Sequence, residues 1–285
     1  MRFDLVIAVD WSSEQGRKPT PQENRCWLAW GLRDGQRGEP EYMPTRLEAE
    51  TRIHEILDRN PGARALVGFD FAIGYPLSDD GAPVLPAGRA LCALADELVT
   101  DDASGVNNRF AAAGDLNERV RAVTGRNHGP FWGRPASPHV EGLPTTRPSG
   151  TGVRKLRDAE VAARKQSKTK PKSAWQLAGI GSVGGQSLTG LKYVHRLLTA
   201  LGERGRLWPF EAIDDRDDAV VIAEIYPSLF PQRSPAYWYK DARQVVDTRD
   251  AILDAETQSL LAAPNGTLEG WILGVAPTTS TPAGS

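Results

Sequence analysis

Asp10, Asp70 and Glu224 each close a short apolar run: Leu5-Val6-Ile7-Ala8-Val9-Asp10, Ala65-Leu66-Val67-Gly68-Phe69-Asp70 and Val220-Val221-Ile222-Ala223-Glu224. Carboxylates are hard oxygen donors, and several brought to one place suit Mg²⁺ or Mn²⁺ better than zinc. Two such ions about 4 Å apart can activate water and stabilise the leaving oxygen in phosphodiester cleavage. A second set of acids, Asp247, Asp250 and Asp254, falls at i, i+3 and i+7 on one face of a late helix. If that helix packs on the sheet, Asp250 or Asp254 reaches the strand-end acids; pairing with Arg243 and Arg249 is the other way to relieve their repulsion. Any one strand-end acid would also serve as a turn residue or helix cap.

The elements that must position these acids follow from the pattern around them. Apolar runs of about five residues read as strands buried on both faces, in a sheet covered by helices. A carboxylate at the last position then lies at the sheet's carboxyl edge, where open α/β sheets place ligands. The pattern predicts strands over 3–10, 25–32 and 41–43, then a helix from Thr45, with Glu48 completing a capping box, to about Asp58. A strand over 63–70 follows. Further helices are predicted over 87–98, 107–123, 157–168 and 188–201, with a strand over 219–225 and a long helix over 240–263. Three strands, a helix and a further strand are the opening of an RNase H-like fold. The expected architecture is therefore an α/β, RNase H-like mixed sheet flanked by helices, one domain over 1–275, with a disordered tail over 276–285.

Residues 125–187 form a long basic irregular insertion in this scheme. From Asp115 to Trp175 there are 13 Lys and Arg against 5 Asp and Glu, a balance of +8 in a chain whose net charge is −2. A basic segment beside clustered carboxylates fits a metal-assisted enzyme acting on nucleic acid or a phosphorylated small molecule, although a solvated loop has the same composition. Cys26 and Cys92 stand at no metal-ligand spacing, which points to free thiols in a reducing cytoplasm. The N-terminal apolar stretch is broken by Asp10 and is expected to be neither a signal peptide nor a membrane span.

Taken together, Val9-Asp10-Trp11-Ser12-Ser13, Gly68-Phe69-Asp70-Phe71-Ala72-Ile73-Gly74-Tyr75-Pro76, Glu224-Ile225-Tyr226-Pro227-Ser228, Arg249-Asp250-Ala251-Ile252-Leu253-Asp254-Ala255 and Glu269-Gly270-Trp271-Ile272-Leu273-Gly274 resemble the motifs of an RNase H-like family, domain of unknown function 429. The resemblance covers most of residues 3–275. It implies an RNase H-like core with Asp10 and Asp70 as central metal ligands, Glu224 as the next, and Asp250 or Asp254 completing the site.

Candidate substrate contacts come from the insertion and from the loop after Asp10. Pro171-Lys172-Ser173-Ala174-Trp175-Gln176 leads into Gly179-Ile180-Gly181-Ser182-Val183-Gly184-Gly185-Gln186-Ser187, where freed backbone amides could cradle a phosphate with Lys172 as counter-charge. A flexible turn would look the same. Phe131-Trp132-Gly133-Arg134-Pro135 offers aromatics and Arg134 for stacking a base, unless the aromatics pack into the core. Ser12 belongs to a segment reminiscent of the first phosphate loop of actin-like ATPases and sugar kinases, though those carry glycine where Trp11 stands. His54, His128, His139 and His195 are scattered, and His128 and His139 are the better placed for chemistry. The leading expectation is a divalent-metal-dependent phosphodiester hydrolase. The alternatives are a kinase-like phosphotransferase and a non-catalytic nucleotide- or RNA-binding protein.

Overall fold

The structure, a computed structural model, describes residues 2–179, 181–213, 216–233 and 237–277. Six strands form one mixed sheet: β1 (Leu5–Asp10), β2 (Cys26–Leu32), β3 (Glu41–Met43), β4 (Ala65–Phe69), β5 (Gly205–Leu207) and β6 (Val220–Glu224). Their order is β3-β2-β1-β4-β6-β5. The first three strands are antiparallel neighbours, whereas β1, β4, β6 and β5 run parallel. Every residue of β1, β4 and β6 is buried, as their unbroken apolar runs require of strands covered on both faces.

One face of the sheet packs on α1 (Arg46–Asp58), α2 (Gly88–Leu98), α3 (Arg109–Thr124) and α5 (Gly184–Leu201), through Leu5, Ile7, Val9, Val67, Phe69 and Ile222. The other face packs on α4 (Asp158–Gln166) and α6 (Lys240–Asp254), through Val6, Ala8, Leu66, Val221 and Ala223. A short α7 (Thr257–Leu260) follows. Odd and even positions of each strand thus serve separate cores, and this alternation decides which strand-end acids can meet.

The predicted elements differ from the observed ones in four instructive places. The helix over 240–263 is two helices, because the chain at Ala255 is extended between α6 and α7. The helix predicted from 188 begins at Gly184, so the two glycines lie in its first turn and not in a loop before it. The edge strand β5 was not foreseen: three residues, one of them glycine, give no periodicity to read. At α1 the Thr45 hydroxyl accepts from the Glu48 amide at 3.2 Å, but the Glu48 carboxylate binds Arg17 at 3.0 Å, so only half of the capping box forms. The tail predicted over 276–285 lies mostly outside the described residues; at its start the Ala276 amide donates to Gln166 Oε1 at 2.9 Å.

The basic insertion is tied to the body of the protein. The Asn117 side chain donates to the carbonyls of Phe131 and Gly142 and accepts from the Phe131 amide. In the helices before it, Arg119 pairs with Glu97 and Arg121 with Glu118. Among the described residues no helix is long and apolar enough to cross a membrane.

Candidate active site

The β1–β4 ladder sets Val9 opposite Phe69, so the next residues, Asp10 and Asp70, come side by side at the ends of neighbouring parallel strands. The Asp70 amide donates to the Val9 carbonyl at 2.9 Å and holds that register. Alternation sends both side chains after Ala8 and Gly68, to the face covered by α6. There Asp241, in the first turn of α6, joins them and accepts from the Asn24 amide at 2.6 Å.

These three acids form no ion pair among the described residues, and Asp241 disfavours the charge of both Asp10 and Asp70. Burial, then Asp70 and Asp241, hold Asp10 well above the ordinary carboxylate range. Asp70 is pushed up to about 7 by burial, then by Glu224 and Asp241. Burial also raises Asp241, against the opposing charge of Lys240. Like charges gathered in a poorly solvated place take up protons or a cation. All three line a cleft of about 690 Å³, whose wall also carries Arg109, Lys170, Lys172 and Lys240.

Glu224 is differently placed. Its ladder partner is Phe69, one step short of Asp70, so alternation aims its side chain differently from that of Asp70, although its charge still acts on Asp70. Arg157, fully buried, grips it with Nη2 at 2.6 Å and Nη1 at 2.8 Å, and the Ile73 amide donates to it at 3.0 Å. The same guanidinium holds Glu160 and the Glu269 carbonyl. The Glu269 carboxylate accepts in turn from Leu77, Asp158 and Arg154. This network clamps the insertion to the loop after β4. The clamp leaves no room at Gly74, where a Cβ would sit 2.1 Å from the Glu269 carbonyl oxygen.

Asp250 and Asp254 also stand apart from Asp10 and Asp70. Arg37 donates to them at 3.0 and 3.1 Å, and Arg249 binds Asp250 at 2.9 Å. At 1.5 Å per residue, Asp254 lies about 20 Å along α6 from Asp241. Asp247 accepts from the Arg233 amide.

Of the candidate substrate contacts, Ser12 and Lys172 line the cleft, although the Ser12 hydroxyl is committed to the Asn24 carbonyl at 2.6 Å and the Glu14 amide at 3.1 Å. Trp175 is a core residue: it stacks on Tyr75 at 4.6 Å and meets Phe131 edge-on at 4.9 Å. Phe131 is fully buried, and Arg134 folds back onto the carbonyls of Pro135 and Ala136. Gln176 closes its own turn through the Ala178 carbonyl, and the Gly184 amide donates to the Gln176 carbonyl at 2.8 Å. Gly185 sits in the first turn of α5, against Ser13 and Arg109. Ile180 of the glycine-rich run lies outside the described residues. None of the four histidines lines the cleft.

Asp241, Arg109 and Arg157 went unread in the sequence. Asp241 carried a usable signal, an acid in the first turn of a helix expected to pack on the sheet; the two arginines carried none without a fold. Among the described residues no three Asp, Glu, His or Cys side chains converge as a ready-made ligand set. Asp10 and Asp70, with Asp241 nearby, do suit an ion that keeps several waters and takes further oxygens from a bound phosphate, which is the habit of Mg²⁺. Glu224 and Asp254 are instead engaged by Arg157 and Arg37. No protein family, curated protein or solved structure matches the chain.

Proposed function

We propose that the protein is a divalent-metal-dependent hydrolase of phosphodiesters, with nucleic acid or a nucleotide-like molecule as its substrate. The observation that carries this reading is the register of β1 and β4, which aligns Asp10 with Asp70, both without a cationic partner among the described residues, in a cleft that also holds arginine and lysine. The strand order, antiparallel through β3-β2-β1 and parallel beyond, supports an RNase H-like core and with it the resemblance to the domain of unknown function 429 family.

Asp10 and Asp70 would hold Mg²⁺ or Mn²⁺, with Asp241 acting directly or through water. The ion would supply a lowered pKa for attacking water and charge stabilisation at the phosphoryl oxygens. The chain's own residues supply the rest. Lys170 and Lys172 attract the negative substrate; burial of Asp10 keeps the acids poorly solvated, so that they compete well for a cation; Trp11 braces the site. Its ring is fully buried against Phe69, Phe71 and Tyr193, and its Nε1 donates to Thr189 at 3.3 Å. A phosphate loop of the kinase type needs open backbone where that indole packs, which leaves the kinase-like reading with less support. The two buried, free thiols suit a reducing cytoplasm.

The test is incubation of the pure protein with Mg²⁺ or Mn²⁺ and a panel of single-stranded, duplex and hybrid nucleic acids and small phosphodiesters. Cleavage that disappears in Asp10→Asn is expected. Cleavage of none of them, or cleavage undiminished in that variant, would sink the hydrolase reading.

A further inference from the structure

We propose that Arg109, Ser13 and the first turn of α5 form a receptor for the phosphate group of the substrate. The identity of the anion as a substrate phosphate rests on the hydrolase reading; the receptor itself is argued from its own groups.

Arg109 opens α3 and is 8% exposed, yet it forms no ion pair among the described residues. Its Nη1 donates to Asn107 Oδ1 at 3.1 Å, and its Nε finds no partner among the described residues. Glu14 is exposed and acts on it only at a distance, while Arg46 repels it. The face of Phe110 lies 4.4 Å from the guanidinium carbon, which supports the cation but satisfies none of its N–H groups. A guanidinium sequestered without a carboxylate is costly. Other buried arginines have their donors taken: Arg46 meets Asp101, Arg157 meets Glu160 and Glu224, and Arg25 donates to the carbonyls of Gln15 and Gly16. Arg109 lines the cleft instead.

The start of α5 is bare in the same place. Its N-cap is Val183, with no side-chain cap, and its first turn carries no acid. The Gly184 amide is used by Gln176, whereas the Gly185 and Gln186 amides find no acceptor among the described residues. Two orphan donors at the positive end of an 18-residue helix favour an anion. What joins this end to Arg109 is the missing side chain of Gly185: a Cβ there would lie 2.6 Å from Ser13 Oγ and 3.2 Å from Arg109 Cδ. Gln186 fixes the assembly beside the acids, because its Nε2 donates at 2.5 Å to the carbonyl of Trp11, the residue after Asp10. Ser13, Arg109 and Gln186 thus line the cleft that holds Asp10 and Asp70, with Gly185 packed against the first two. A tetrahedral oxyanion takes donors of the three kinds they offer, hydroxyl, guanidinium and helix amide.

Inorganic phosphate binding to the full chain in EDTA tests the receptor without metal or turnover. Titration followed by ³¹P NMR should show saturable binding that weakens about tenfold or more in Arg109→Gln, since a charge-assisted hydrogen bond is lost. It should weaken similarly in Gly185→Ala, and Arg109→Lys should recover part of the loss. Denaturant midpoints provide the structural control. Arg109→Gln should unfold at or above the wild-type midpoint, because it removes an unpaired cation. No saturable binding up to about 10 mM phosphate, binding unaltered in Arg109→Gln, or a large fall in that variant's midpoint would each overturn the proposal. The two readings fail separately: phosphate bound through Arg109 without any diester cleavage removes the hydrolase and keeps the receptor, whereas cleavage and phosphate binding both intact in Arg109→Gln do the reverse.

Discussion

Two groups of acids lie near the carboxyl edge of one sheet, and the fold treats their charge in opposite ways. Around Glu224 each carboxylate is met within the fold: Arg157 spans Glu224 and Glu160, and Arg154 holds Glu269. Around Asp10 and Asp70 no cation among the described residues makes contact, and Lys240 acts only at a distance. A single residue of register separates the two, Asp10 aligning with Asp70 while Glu224 aligns with Phe69. The contrast teaches that the first group is compensated within the fold and that the second, among the described residues, is not.

Breaking the completed group should have the largest effect. Arg157→Met leaves two buried carboxylates without their cation and should cost about 3–5 kcal/mol of stability, read from urea unfolding. Adding Glu224→Gln and Glu160→Gln to that variant should recover part of the loss, as the uncompensated charge is then gone.

The open group should respond to pH with the opposite sign from an ordinary paired carboxylate. Asp70 is raised from 3.8 to about 7, so between those values the folded protein holds a proton that the unfolded chain has released. Metal-free stability should therefore fall as pH rises from about 4 to about 7, and millimolar Mg²⁺ or Mn²⁺ should reverse the fall by binding only the folded state. Thermal melts with EDTA and with metal, taken across that range, measure both effects. In the same melts at pH 7.5, Asp10→Asn without metal should be more stable than wild type by about 1 kcal/mol, because a neutral amide escapes the cost of keeping a carboxyl group buried beside other acids. The smallest effect belongs to the acids far along α6. Asp254→Asn removes an exposed pair with Arg37 and should change stability by less than about 0.5 kcal/mol, with metal-dependent stabilisation intact.

The sheet was legible in the sequence because its central strands are unbroken apolar runs, and the positions of Asp10 and Asp70 followed from where those runs stop. Glu224 looked equivalent because a run's end shows nothing of its register; only the ladder tells which face an end residue takes. The acids at 247, 250 and 254 drew attention by their helical spacing, but spacing along a helix says nothing of which end meets the sheet edge. Asp241 does that work from the first turn. The glycines at 184 and 185 were recognised as unusual, yet their meaning waited on a helix start four residues earlier than its apolar stripe suggests. Trp175 and Phe131 show the converse: aromatics beside arginines in a basic segment served the core.

The central claim is that Asp10 and Asp70 complete their charge with a divalent ion, whereas Glu224 does not. Crystals grown at neutral pH and soaked in Mn²⁺ test it directly through anomalous scattering. The expected result is a peak between Asp10 and Asp70, absent from Asp10→Asn crystals treated alike. Crystals with no peak there, or with manganese seated at Glu224 in place of Arg157, would contradict the account.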